Sequence, residues 1–334
     1  MTYNNIDFNK KTILITGGAG FIGSNLAFYF QENFPESKII IFDCFRSDEI
    51  FLNGNLKSFG HYKNLIGFKG DIICGNINNK AELALLSDYK FDYIFHQAAI
   101  SDTRVYNQEI IIKTNVNSFY DLLAIAKKDR AAMVYASSAA TYGSLPSPQT
   151  VGKESPENPY GYSKYVMDQI SNRYSNENPD LTIVGLRYFN VYGPREYYKA
   201  NTSSMVIQLG HQILDCKAPR LFKNSHQISR DFIYIDDVIQ ANIKACTPEN
   251  NGIYNVATGI QRNFQEISDI LQEELNTDLG TAYFPNPYNG YQVNTRADIL
   301  STKKNLGFKP SYSLENGIKA YIPEILRLHG SDIS

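Results

Sequence analysis

The chain has 334 residues, 43% of them hydrophobic and 20% charged, with a net charge of −2. That balance is ordinary for a globular protein and gives no reason to expect nucleic acid or an anionic membrane as a partner. No apolar run approaches a bilayer's span, the polar residues 1–7 do not read as a signal peptide, and Cys44, Cys74, Cys216 and Cys246 are scattered; reduced thiols in the cytoplasm are therefore expected, not a disulfide frame or a metal site.

The β-branched run of residues 12–16 breaks into Gly17, Gly18, Gly20 and Gly23, and helix formers follow over 24–31. Such a strand–turn–helix can hold a pyrophosphate. Gly17 makes the turn, Gly20 admits the ligand, Gly23 lets helix and strand pack, and the helix start offers free N–H groups. The spacing is G-x-x-G-x-x-G, not the G-x-G-x-x-G of ordinary dehydrogenases. A second strand over 38–42 ends in Asp43, about where an acid contacts the adenosine ribose.

An irregular polar stretch to about Lys69 leads to a short strand expected at Asp71, Ile72 and Ile73. A strand over 91–96, a long helix over 107–128 and a strand over 131–136 follow. This alternation predicts an α/β fold with a doubly wound parallel sheet, whose ligands lie beyond the carboxyl ends of the strands. Gly17, Asp43, residues 97–101 and Ser137-Ser138 fall at such ends and point to one crevice. From about Asn190 the alternation decays into proline-, asparagine- and tyrosine-rich connections. The length also favours two lobes. The expected division is a dinucleotide-binding domain over 1–188, with returning segments at about 232–258, and a smaller C-terminal α/β substrate lobe from the remainder of 189–334.

Residues 158–164 carry the chemistry on an expected helix start. Tyr160 and Lys164 are four apart, so they share one helix face. A phenol with a pKa of about 10 becomes a base near neutrality only if positive charge favours its phenolate. The Lys164 ammonium and an oxidised nicotinamide are expected to do this. Ser138 can hydrogen-bond the same substrate oxygen. A tyrosine four before a lysine is common on surface helices, and Tyr162 stands two residues away as a decoy. The order glycine turn, acid, Ser138, Tyr160, Lys164 gives the pair its weight.

With residues 136–143, 187–196 and 230–238, these motifs resemble the extended short-chain dehydrogenases/reductases acting on nucleotide sugars. Through residues 193–199 and Ser203-Ser204-Met205, the chain is similar over essentially its whole length to the ADP-L-glycero-D-manno-heptose 6-epimerases within that superfamily. The resemblance implies Tyr160 as one acid/base and Lys164 as the ribose-holding residue that tunes it. It also implies Ser138 as ligand of the reacting oxygen and Lys199 as the second acid/base. It places cofactor contacts at Gly17, Gly20, Phe21, Ile22, Gly23, Asp43, Arg46, Lys69, Asp71, Ile72, Gln97, Ala98, Ala99, Ser101, Asn115, Tyr160 and Lys164. Substrate contacts fall at Ser138, Asn190, Val191, Asn201, Gln208, Phe222, Ser225, Arg230 and Tyr291. Arg230 has its own warrant, since guanidinium pairs bidentately with phosphate. Asn201 and Gln208 depart from the serine and histidine of relatives.

The implied substrate is a nucleotide-diphosphate sugar, handled by a homo-oligomer, and the implied cofactor is a tightly bound, recycled NADP, with NAD as the alternative. Asp43 suits the free 2′-hydroxyl of NAD, whereas Arg46 and Lys69 suit the 2′-phosphate of NADP. Inversion of a secondary alcohol by hydride transfer requires a ketone whose exposed face turns, here about C5–C6, and hence a second proton donor. Read without the resemblance, Lys199 is a solvated loop lysine. A 4,6-dehydratase is disfavoured because Ser138-Ala139-Ala140 replaces the Thr-Asp-Glu that elimination needs. A UDP-hexose 4-epimerase, or an epimerase of a GDP-linked heptose, remains an alternative. A non-enzymatic NAD(P)-binding regulator has no need of Ser138, Tyr160 and Lys164 together.

Overall fold

The computed structural model describes residues 3, 6–247, 251–286 and 293–331. Its strands are β1 (Thr12–Thr16), β2 (Lys38–Asp43), β3 (Asp71–Cys74), β4 (Tyr93–His96), β5 (Ala132–Ser138) and β6 (Ile183–Tyr188). These are followed by β7 (Asn190–Tyr192), β8 (Arg220–Phe222), β9 (Ser229–Tyr234), β10 (Gly252–Val256), β11 (Gln261–Asn263) and β12 (Ala282–Phe284). Seven of them form one sheet in the order β10-β6-β5-β4-β1-β2-β3, every pair parallel. Residues 13–15 of β1 and 39–41 of β2 are buried along their whole length, the continuous apolar run that a sheet covered on both faces requires.

The helices Phe21–Asn33 and Ile235–Lys244 cover one face of the sheet. Their apolar side chains merge with those of the C-terminal helix Leu314–Leu328 into one core. On the other face, Leu122, Leu123, Met167 and Ile170 from the helices Ser118–Asp129 and Pro159–Glu177 pack on Ile94 and Met133. The small sheets β11-β9-β7 and β12-β8 belong to the C-terminal part, while β10 returns to the main sheet beside β6. Among the described residues no helix is long and apolar enough to cross a membrane.

Two segments differ from the sequence expectation. The long helix ends at Asp129 but is broken by a π-turn over Ile112–Asn117. Such wide turns often sit at functional sites, and this one carries the fully buried Asn115. The stretch after Asp43 is more ordered than its polar sequence suggests. Ile50 pairs with Leu56, Phe51 packs on Ile100, Val105 and Ile111, and the Asp102 carboxylate accepts from Asn53 (3.0 Å) and Asn55. It thereby bridges from the end of β2 to the loop after β4, past the end of β1.

Candidate active site

The strand order reverses between β1 and β4, and there the glycine turn opens. Gly17 has φ 70°, and a Cβ on it would stand 2.6 Å from the backbone nitrogen of Ala98. A Cβ on Gly23 would stand 2.2 Å from the Gly17 carbonyl oxygen. Gly20 differs: near the point its Cβ would take lies only the Gly17 oxygen, at 3.2 Å. Helix Phe21–Asn33 has no side-chain cap and no acid in its first turn, so its leading N–H groups remain available to an anion. These features fit a dinucleotide pyrophosphate. Gly23→Ala should therefore separate helix from turn, costing about 1–3 kcal/mol of stability together with the bound nucleotide. Thermal melts and the nucleotide content of the purified variant check this, and wild-type content would reject the packing argument.

Asp43 closes β2 at the place expected for it, and in the protein by itself its carboxylate is turned onto main-chain N–H groups. Its carboxylate accepts from Ala19 N–H (3.0 Å) and Phe45 N–H (2.7 Å) and is backed by Gly60, leaving it 5% exposed. Burial raises it above the ordinary carboxylate range, and the two N–H bonds oppose this. It braces the glycine turn. Arg46 donates to the Tyr198 carbonyl.

Lys69, Asp71 and Ile72 are corrections. Parallel register sets Asp71 beside Ile40, three residues before Asp43, or about 10 Å back along the sheet. Asp71 there accepts from Tyr89 (3.1 Å) and meets Lys38 (3.6 Å), while exposed Lys69 bonds Gln31 through its main-chain N–H. The strand runs on to Cys74, so residues 75–77 are the ones carried to the crevice end.

Beyond β4, half-buried Gln97 bonds Tyr188 (3.2 Å) and Asn242 (3.3 Å), Ala98 backs Gly17, Ala99 is half-buried and Ser101 is exposed. Phe21 and Ile22 open the glycine helix. Asn115 is consumed internally: its amide exchanges bonds with Ile100 (2.9 and 3.0 Å) and donates to Ser163 (2.9 Å). It therefore joins the loop after β4 to the helix of Tyr160 and Lys164.

That helix begins as its sequence predicts, with Asn158 capping Gly161 N–H (2.8 Å) and Pro159 in the first turn. Gly161 lets it approach Ser138's turn, since a Cβ there would lie 2.3 Å from the Ala140 oxygen. Tyr160 is 9% exposed and Tyr162 is 51% exposed, which separates the pair. Burial raises the Tyr160 phenol, opposed by a hydrogen bond with Ser138; in the protein by itself burial outweighs the expected lowering. Lys164 donates to the Ala136 carbonyl (2.7 Å), its nitrogen 5.9 Å from the Tyr160 ring centroid. Burial brings it down to about 8, against the pull of Asp168 one turn on.

Sequence reasoning missed this support. Asp168 binds Arg187 (2.8 Å), Tyr135 (2.8 Å) and Ser137 (3.0 Å), and Arg187 also meets Glu154 (2.6 Å). The i,i+4 spacing of Lys164 and Asp168 was its one visible signal. His96 also lies beneath, bonded to Thr16 (2.7 Å); burial, then the Lys164 charge, bring it down to about 3.

Lys199 lies on a turn over Tyr197–Thr202, half-buried, its nitrogen 5.4 Å from the Phe21 ring centroid. Burial lowers it and Glu196 opposes this. The second acid/base candidate thus stands at the β1 edge of the crevice and Tyr160 at the β5 edge, with β4 between them.

Asn190 and Asn201 are exposed, and Val191, Gln208 and Phe222 half-buried. Gln208 donates to the Ser203 carbonyl (2.7 Å), and Phe222 packs edge-on against Phe284. The buried Ser225 hydroxyl has no partner among the described residues. Arg230 is buried, donating to the carbonyls of Ser229 (2.9 Å) and Val293 (3.1 Å). Tyr291 lies outside the described residues. Among the described residues no cluster of three or more His, Cys, Asp or Glu could hold a metal.

Known proteins share this fold. The chain is 33% identical over 326 residues to the ADP-L-glycero-D-manno-heptose-6-epimerase of Brachyspira hyodysenteriae, covering 95% of this chain and 98% of that one. The crystal structure of the Helicobacter pylori ADP-L-glycero-D-manno-heptose-6-epimerase has a TM-score of 0.89 at 48% identity, covering 98% of this chain and 99% of that one. The Thermotoga maritima UDP-glucose 4-epimerase, solved with UDP-glucose, has a TM-score of 0.82 at 27% identity over 95% of this chain and 98% of that one. Residues 13–257 match the NAD dependent epimerase/dehydratase family. With the glycine turn, Ser138, Tyr160 and Lys164 gathered at the strand ends of a Rossmann-like sheet, the chain belongs to that family and is an isomerase of its epimerase branch.

Proposed function

We propose that this protein inverts C6 of ADP-D-glycero-D-manno-heptose to the L-glycero form, through a transient C6 ketone. One observation carries the reading: two groups able to exchange protons border the crevice from separate elements, Tyr160 beside β5 and Lys199 over Phe21. The heptose epimerase relatives support the same substrate. A UDP-hexose 4-epimerase, the activity named for the Thermotoga relative, is the second reading, and it leaves Lys199 without a task.

The dinucleotide would rest on Gly17, Gly20, Phe21, Ile22 and Gly23, and its nicotinamide supplies hydride exchange and a positive charge near Tyr160. The chain's part is proton handling. Tyr160, seated on Lys164, takes the C6 hydroxyl proton while Ser138 holds that oxygen. Rotation about C5–C6 then presents the carbonyl oxygen to Lys199, which returns a proton to it. Asn190, Val191, Asn201, Gln208, Phe222, Ser225 and Arg230 bind the sugar diphosphate. Residues 1–188 and about 232–258 serve the dinucleotide, the remainder of 189–334 the sugar, and the enzyme works as a cytoplasmic homo-oligomer. Incubation with ADP-heptose, GDP-heptose and UDP-galactose, followed by NMR at C6 and C4, tests the assignment. Inversion only at C4 of UDP-galactose overturns it.

For the cofactor we assign NADP, with NAD as the alternative. The Asp43 carboxylate is turned onto the glycine turn and its own loop, and Arg46 is a nearby cation. Identifying the nucleotide released on denaturation decides this, and NAD alone reverses it. Arg230→Ala should raise the Michaelis constant roughly 10–100-fold, the worth of a charged hydrogen bond, with turnover little changed. A fall in turnover at constant Michaelis constant contradicts a diphosphate contact.

A further inference from the structure

Glu196 is fully buried, an expensive place for a carboxylate unless its charge and lone pairs are met. It meets them across the loop that carries Lys199. One carboxylate oxygen accepts from Gly193 N–H (3.1 Å) and the Ser204 hydroxyl (2.7 Å), and the other from Ser204 N–H (2.6 Å). The residues it joins stand at the two ends of the loop. Between them the chain passes through Arg195 at φ 74° and Ala200 at φ 51°, conformations that non-glycine residues adopt only when the surroundings enforce them. Lys199 N–H in turn bonds the Glu196 carbonyl oxygen (3.0 Å).

We propose that Glu196 is a positioning residue for Lys199: its buried carboxylate ties the two ends of the loop together and compensates the Lys199 ammonium over Phe21. This rests on Lys199 as the second acid/base. Around Lys199, Glu196 supplies the charge that opposes burial. The glycine helix presents the apolar Phe21 ring. The C-terminal helix presents Tyr321, a neutral phenol held far above its ordinary value by burial first, then by the charge of Glu196 and that of Glu324 on the same helix. Arg195 of the same loop is turned onto Phe28 and the Asn64 carbonyl. Burial pushes Lys199 down and the Glu196 charge holds it up, so removing that charge makes Lys199 neutral at a lower pH.

The test is acetylation of Lys199 by acetic anhydride across pH, read by peptide mass spectrometry, because only the neutral amine reacts. In E196Q the midpoint should fall by about one pH unit. Turnover should fall roughly 10–100-fold, as for a misplaced catalytic group, with the Michaelis constant held. E196D keeps the charge and should keep the wild-type midpoint. An unmoved midpoint in E196Q overturns the proposal, since a purely structural glutamate would change stability and leave Lys199's titration alone. Should E196Q not fold, S204A decides: it removes one donor and leaves both charges, and full turnover by it overturns the clamp. K199M, assayed in parallel, reports on the underlying reading. Full inversion by K199M removes Lys199 from the chemistry, whatever its titration in E196Q.

Discussion

Tyr160→Phe is expected to fold, to keep its dinucleotide and to lose roughly 10²–10⁴-fold in turnover, the usual worth of a positioned acid/base. The ring is 9% exposed and remains in place, so packing changes little. Ser138 keeps its bond from Ala140 N–H (3.1 Å), and Lys164 keeps the Ala136 carbonyl. What disappears is the one hydroxyl that Ser138 shares with the substrate site. Tyr162→Phe serves as the control, because its side chain is 51% exposed and its loss should leave turnover unchanged. Turnover, thermal stability and nucleotide content measured together separate the outcomes. Near-normal turnover in Tyr160→Phe removes it from the mechanism. A collapse of stability would instead make it a packing residue.

The parts of this site that could be located from sequence are those built by local rules. The glycine turn is a strand–turn–helix of fixed spacing, and Tyr160 and Lys164 share a face because a helix repeats every 3.6 residues. Asn158 and Pro159 announce that helix by capping chemistry alone. Long-range pairing was less legible. Lys69, Asp71 and Ile72 were expected at the crevice, but the β-branched run of β3 continues to Cys74 in register with Asp43, and nothing local marks where it stops. The Asp168–Arg187–Glu154 network unites residues 14 to 33 positions apart, and Glu196 looks in sequence like any loop acid. Such buried charges are visible only once the fold brings their partners together.

Lys199→Met should abolish overall inversion while leaving the first half of the reaction intact. Methionine keeps an apolar stem but removes the ammonium that stands over Phe21, so a ketone formed with the help of Tyr160 would find no proton donor in its second placement. One epimer should then still exchange with the ketone, and net conversion should fall by roughly 10²–10⁴-fold. Some stability is expected to go with it, since Glu196 loses its compensating charge, and a thermal melt must accompany the assay. The migrating hydrogen gives the sharper readout. If it is removed and returned within one active site, wild-type turnover in heavy water leaves C6 free of solvent deuterium. Deuterium at C6 would indicate a carbanion, and oxidation to a ketone would have to be abandoned. Full inversion by Lys199→Met would make Lys199 an ordinary half-buried loop lysine. It would also move the assignment towards a 4-epimerase, in which one tyrosine serves both faces as the whole sugar swings.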